Sequence, residues 1–311
     1  MAFSASESAF EGFRVIRREP KTLLIWAVVL IAFDLIAVSV MLPWLRSAAT
    51  GFGITPGAPA NPAALGAMMG QVGLLYLIGI PLFLLITSVF GAGIYRAVLR
   101  PEEKGFGRLR LGADELRLAG VTVLVGLLFL GVSIAIGIVA AILGAGMVMA
   151  TGRTGGAAGI RLLLVLVLYV AVLAGFAWVA VRLSFAAPMT FATRKIHVFS
   201  AWKLTKGRFW PLLGCYLLAL VFVILVGLVD AAVSAVLAFG LSGGSLSRAA
   251  TGVMRPDYAS LVTLFTPLYI MRLIVGGAFG SVMWTVMGAA PASAYREIAG
   301  PKPEDQAAAF S

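Results

Sequence analysis

A chain of 311 residues that is 61% hydrophobic and only 12% charged, with a mean hydropathy of +1.02, cannot hide its apolar surface in one water-excluding core. Soluble chains carry about 25% charged residues, so most of this surface must face lipid. The net charge of +11 comes with no nucleic-acid-reading module, which argues against a nucleic-acid partner, and the single cysteine, Cys215, excludes an intrachain disulfide, a thiolate metal cluster and a CxxC pair.

The chain opens on a basic segment holding Arg14, Arg17, Arg18 and Lys21. The apolar run behind it, 22–43, is too long for a signal-peptide core and closes on no small-x-small cleavage site, so an uncleaved first span is expected. Asp34, in "LIAFDLIAVS", lies near the middle of that span. A Gly/Ala/Pro-rich connection, 44–71, carries one charge, Arg46, and leads to a second run at 72–95. Six basic residues then crowd 96–117, before a third run at 118–146, a glycine-rich link at 147–160 and a fourth run at 161–187. Another six basic residues fall in 182–208. The fifth run, 211–240, contains Asp230 in "VGLVDAAVSA", and after a short polar link the sixth, 262–294, contains Arg272 in "YIMRLIVGG".

A span needs about 20 apolar residues, and six runs meet that length. The expected fold is therefore an all-α integral membrane protein with six transmembrane helices, one polytopic domain over 1–311. Eighteen of the 24 Lys and Arg lie in the two termini, 96–117 and 182–208, which places those segments together on one side. The positive-inside rule makes that side cytoplasmic, with both termini there, and points to a bacterial inner membrane.

Three segments echo one another: "AFEGFRVIRREPKTLL" (9–24), "GFGRLRLGADELRLAG" (105–120) and "VFSAWKLTKGRFWPLL" (198–213). Their phenylalanines, Phe10, Phe106 and Phe199, are 96 and 93 residues apart, and each segment precedes two spans. The spacing suggests pseudo-repeats at 7–97, 103–190 and 196–297, each beginning with an amphipathic helix in the membrane interface. Phe13, Arg14, Arg17, Arg110, Trp202, Lys203, Lys206, Arg208 and Trp210 are the residues expected to face lipid head groups there. Each cation near an anionic leaflet contributes about 1 kcal/mol, so anionic lipids are the expected partners.

The run "VRLSFAAPMTFATRKIHVFSAWKLTKGRFWPLLG" (181–214) resembles the membrane domain of the glycerophosphoryl diester phosphodiesterase family and related uncharacterised six-span bacterial proteins. Arg182, Pro188, Trp202, Thr205, Gly207, Phe209 and Trp210 carry the likeness, which is specific over about 35 residues. An acidic residue expected after the proline is missing from 189–198, and no phosphodiesterase barrel follows within the 311 residues. The resemblance thus implies a six-span membrane domain and no hydrolase.

Ionisable groups inside spans cost about 2.5–3.5 kcal/mol each on insertion scales and are functional suspects by default. Asp230 and Arg272 sit where neighbouring antiparallel helices would pair them, either to fix helix register or to bind a substrate. Asp34 reads as a proton or cation relay, or as a protonated carboxyl bonded to a neighbouring helix. The adjacent acids of "RPEEKG" and "GADEL" read as a solvated face of the basic loop. One histidine, His197, supports neither a zinc site nor a Ser-His-Asp triad, so no catalytic set, metal or cofactor is expected. The expected function is a non-enzymatic, lipid-interacting scaffold or assembly partner, as a homo-oligomer or beside another membrane protein. The alternative is a transporter or lipid-translocating protein using Asp34, Asp230 and Arg272, and one feature separates the two. A scaffold needs a filled bundle with Asp34 capped; a transporter needs a polar cavity with Asp34 open to it.

Overall fold

The computed structural model describes residues 3–49, 62–151, 158–254, 257, 258 and 260–300. Arg153, Arg255 and Lys302, counted above in the charge distribution, lie outside them. All regular structure among the described residues is helical: α1 (Ala5–Arg18), α2 (Pro20–Ala49), α3 (Pro62–Leu99), α4 (Ala113–Thr151), α5 (Ala158–Leu183), α6 (Ala186–Thr193), α7 (Phe199–Leu204), α8 (Phe209–Leu241), α9 (Leu246–Met254), α10 (Leu261–Leu264) and α11 (Pro267–Ala299), with a short 3-10 turn at Phe106–Arg108. Six helices are long and apolar enough to cross a membrane, which confirms the six-span, all-α architecture. α2, α3, α4 and α8 exceed the expected runs; α4, at 39 residues, is about 58 Å long at 1.5 Å per residue, well beyond a hydrocarbon layer of about 30 Å.

The boundaries follow from local chemistry. Ser4 caps α1 by accepting from the Glu7 amide, and Arg17 and Arg18 sit at its negative C-terminal end. Pro20 and Pro267 occupy the first helical positions of α2 and α11, where a missing N–H costs nothing. Gly207, at φ +80°, supplies the left-handed residue that turns α7 into α8.

The spans touch in the cyclic order α2–α3–α4–α5–α8–α11, closing back on α2, and α11 also meets α1, α3 and α6. Two ends result. The basic end gathers α1, the α3–α4 connection, α6, α7 and the close of α11; the far end holds the C-termini of α2, α4 and α8 and the N-termini of α3, α5 and α11. Toward the basic end α11 is the axis. Its Ser281, Thr285, Val286, Ala289, Ala290, Ala292, Ser293 and Ala294 are buried, and their small size lets neighbours approach the backbone. A Cβ on Gly12 of α1 would lie 2.5 Å from the Val286 Cα, and one on Gly277 would lie 2.5 Å from Ile31 of α2. Gly12 and Gly277 therefore bring helices together, whereas Gly276 of α11 and Gly137, Gly144 and Gly146 of α4 face open space.

The three echoed segments take three different structures. The first is a 14-residue helix, the third a six-residue helix, and the middle one a three-residue turn followed by the non-helical 109–112, so no amphipathic helix precedes α4. Gly105 and Gly107 interrupt helix there; Gly107 adopts φ +57°, a conformation glycine tolerates, and its carbonyl accepts from Trp26 Nε1 at 2.6 Å. α1 is docked on the bundle, although its Phe10 stays exposed. Its buried face is Ser8, Ala9, Glu11, Gly12 and Val15, packed on α11 and α8, because only small residues fit that close contact.

Candidate functional site

Arg272 and Asp230 meet. The guanidinium, five residues into α11, donates from Nη1 to Asp230 Oδ2 at 3.1 Å and to Ser234 Oγ at 3.2 Å; Ser234 in turn reaches Asp230 Oδ1 at 3.4 Å. Ser234 is one helical turn beyond Asp230 on α8, so both face the same neighbour. Asp230 is largely sheltered (14% of its side chain exposed) while Arg272 is 49% exposed, leaving part of the guanidinium uncommitted.

That free edge opens onto a groove of about 310 Å³ along the α2–α11 seam. Asp34 is exposed to the groove, with Arg272 and Tyr269 as its polar neighbours. The Tyr269 hydroxyl is buried and turned toward the Asp34 carboxylate. Gly276 and Gly280 leave the space open on the α11 side, and Trp284 lines it toward the basic end. Beyond Trp284 the path is packed. Phe33 and Trp284 lie against the cluster of Trp26, Phe90 and Ile94, with the Trp284 and Phe90 rings 6.2 Å apart. The site is thus an open recess with an apolar lining that holds Asp34, Tyr269 and Arg272, bounded by packed aromatics at Trp284. It holds two carboxylates and one guanidinium. It can accept hydrogen bonds from an amine or hydroxyl at Asp34 and donate to an anion from Arg272.

The residues expected at the lipid interface are distributed differently. Phe13, half-buried, packs edge-on against Phe222 of α8 at 5.3 Å. Arg14 pairs with Glu7 and, at 3.3 Å, with Glu11; Arg17 is exposed. Trp202 meets Trp178 of α5 at 4.9 Å in a T-shaped contact, with the Arg182 guanidinium 5.6 and 5.9 Å from the two rings. Both aromatics are thus drawn into packing because their helices dock on a neighbour. Lys203, Lys206 and Arg208 are exposed, as is Trp210. Arg110 sits in the α3–α4 loop, half exposed, donating to the Lys104 carbonyl at 3.0 Å. The 181–214 motif forms the α5–α8 junction, where Thr205 Oγ1 donates to the Arg182 carbonyl at 3.2 Å.

Much of the basic loop is interior. Arg96 and Arg108 are buried; Arg96 pairs with Glu115, and Arg108 grips Glu19 at 2.5 Å together with the carbonyls of Pro101 and Glu103. Glu115, read from sequence as a solvated acid, is buried because Arg96 needs a counter-charge there. Glu11 is buried too, held by Arg14, Arg18 at 3.8 Å and Arg296 at 3.2 Å, while Glu297 accepts from Ser4 and Ser8. Sequence reading missed Glu11, Tyr269 and Ser234; the i, i+4 spacing of Asp230 and Ser234 was the available signal for the last.

No protein-family model, curated protein or solved structure matches the chain.

Proposed function

We propose that the protein handles a zwitterionic phospholipid within the bilayer and moves its head group into the membrane, acting as a lipid-translocating protein. One observation carries this reading: Asp34, beside Tyr269, is exposed in an open groove that it shares with Arg272, instead of being shut inside a filled bundle. An ammonium group fits Asp34 and a phosphate fits the uncommitted edge of Arg272, while the acyl chains remain among the apolar residues beside the groove. The aromatic stop at Trp284 and Phe90 fits a state open to one side only. The distribution of basic residues supports an inner membrane with the basic end cytoplasmic, so the groove would open to the outer leaflet. The likeness of 181–214 to a phosphodiesterase-associated membrane domain is compatible with work on lipids, and it supplies no hydrolytic residues.

The deciding experiment reconstitutes the protein in vesicles with acyl-labelled phosphatidylethanolamine and follows its exposure to a membrane-impermeant quencher. Wild-type protein should accelerate transfer between leaflets. Asp34→Asn should reduce that rate at least tenfold while the thermal midpoint in detergent is unchanged or raised. Equal rates for wild type, Asp34→Asn and empty vesicles would remove the proposal. The scaffold reading keeps one supporting observation, the uncovered apolar faces of α4 and α5. It would gain if Asp34→Asn lowered stability and phenotype together.

A further inference from the structure

Two cavities at the start of α4 adjoin. The first, about 480 Å³, is an apolar groove between α2 and α3, walled by Val29, Phe33, Ile86 and Val89 and reaching Arg110 and Leu111 toward the basic end. The second, about 410 Å³, is polar, lies at the first turn of α4, and includes Arg96, Arg110, Arg117 and Arg194. Arg110 and Leu111 line both, so an apolar slot within the membrane leads directly into an arginine-rich pocket at its border.

The acids of that pocket are Glu103, Asp114 and Glu115. Asp114 is engaged by Arg117 at 2.7 Å and Arg100 at 3.4 Å, and Glu115 by Arg96. Glu103 is shared among four arginines, nearest Arg100 at 3.3 Å and farthest Arg110 and Arg194 at 3.9 and 4.0 Å. Those last two contacts are beyond hydrogen-bond length, so Arg110 and Arg194 keep donors for another anion. Arg96, only 2% exposed, has an Nε–H with no hydrogen-bond acceptor, which is costly for a buried charged group. Arg194 is held at φ +56° at the end of α6, a backbone state that non-glycine residues seldom occupy and that collects at binding sites. The amides opening α4 add the positive end of a helix dipole. Around the mouth, Phe106 and Leu111 are 77% and 79% exposed, apolar side chains suited only to lipid.

We propose that this composite space binds one anionic phospholipid, with an acyl chain in the α2–α3 groove and the phosphate held by Arg110 and Arg194 over the pocket of Arg96. Phe33 borders both grooves, but neither Asp34 nor Arg272 lines this one, so it is tested independently of the translocation reading. The occupant is a lipid and not free phosphate because the apolar groove opens into the same pocket.

The test uses the full chain in nanodiscs of phosphatidylcholine, with phosphatidylglycerol titrated in and retained lipid counted by native mass spectrometry. Saturable retention of phosphatidylglycerol is expected, with Arg110→Gln and Arg194→Gln each weakening it about fivefold, the effect of about 1 kcal/mol per cation. Both side chains are at least half exposed, so these variants keep the fold. Val89→Trp, which fills the groove, should abolish retention, and Asp34→Asn should leave it unchanged. Equal retention of the two lipids, or full preference in the double arginine variant, overturns the site. Inorganic phosphate displacing phosphatidylglycerol at millimolar concentration, with Val89→Trp silent, would make it a soluble-phosphate site and overturn the lipid assignment.

Discussion

The α11-centred bundle at the basic end and the α4–α5 hairpin are both built from helices long and apolar enough to span a membrane, yet one is packed and the other is not. The most apolar stretches of α4 and α5 contain no buried residue, and Ile134, Ile138, Ile142, Leu163 and Val167 all point away from the chain. α11 is the least apolar of the six, at a hydropathy of 1.6 against 2.3–2.9 for the others, and it is the most buried. In lipid there is no hydrophobic gain from burying a leucine against another helix, since acyl chains serve as well. Close packing of small residues and satisfaction of polar groups decide which helices associate. α11 has both; α4 and α5 have branched aliphatics and solvate themselves in lipid.

Breaking the packed region should therefore do far more damage than altering the hairpin. The largest effect is expected at the Arg96–Glu115 pair, because Arg96 also donates to the Arg108 carbonyl at 2.9 Å and lies 5.7 Å from the Phe191 ring. Glu115→Ala leaves that guanidinium buried without its counter-ion, a loss of about 3–5 kcal/mol. Thermal unfolding in detergent checks it, and the double change Arg96→Met with Glu115→Leu should restore much of the stability.

Next in size is Gly12→Val. The new side chain would meet the Val286 backbone, which cannot swing aside, so α1 must lift from α11 at a cost of about 1–3 kcal/mol. The N-terminal helix should then become sensitive to protease before the spans unfold. Gly144→Val, in open space on α4, should change the melting temperature by less than a degree or raise it slightly. Equal effects at the two glycines would erase the distinction between the regions.

Run length and charge made the spans legible, and the spacing of Asp230 and Arg272 made their pairing legible. The three-fold echo was a weaker guide, because matched residues met unlike surroundings. Phe13 found Phe222, Trp202 found Trp178, and the middle segment was pulled into a turn by Arg108 and Trp26. Partners far apart in the chain were invisible. Glu11 answers Arg296, 285 positions away, and no local pattern around Glu11 announces it. The groove could not be read either. Its polar members are split between Asp34 on α2 and Tyr269 with Arg272 on α11, and its volume depends on Gly276 and Gly280 facing away from the close contact at Gly277.

The smallest effect anticipated at the packed end concerns acid. Arg108 beside Glu19, helped by the Thr22 hydroxyl at 3.0 Å, holds the Glu19 carboxyl below the usual glutamate range. A carboxylate depressed in the folded state adds stability that is fully present above its unfolded pKa of about 4.3. That stability is lost as pH falls through the lower folded value. Acidification below about pH 4.3 should thus loosen the α3–α4 loop from α2, where Trp26 Nε1 meets the Gly107 carbonyl, before the spans separate. Hydrogen exchange of 104–109 should rise over that window by an amount corresponding to about 1 kcal/mol. Glu19→Gln should show the loosened loop already at neutral pH and remove the pH dependence. Beyond Arg117 the α4–α5 hairpin carries no carboxylate among the described residues, so exchange there should stay flat over the same range. A transition appearing there instead would mean that the two regions are coupled more tightly than their packing indicates.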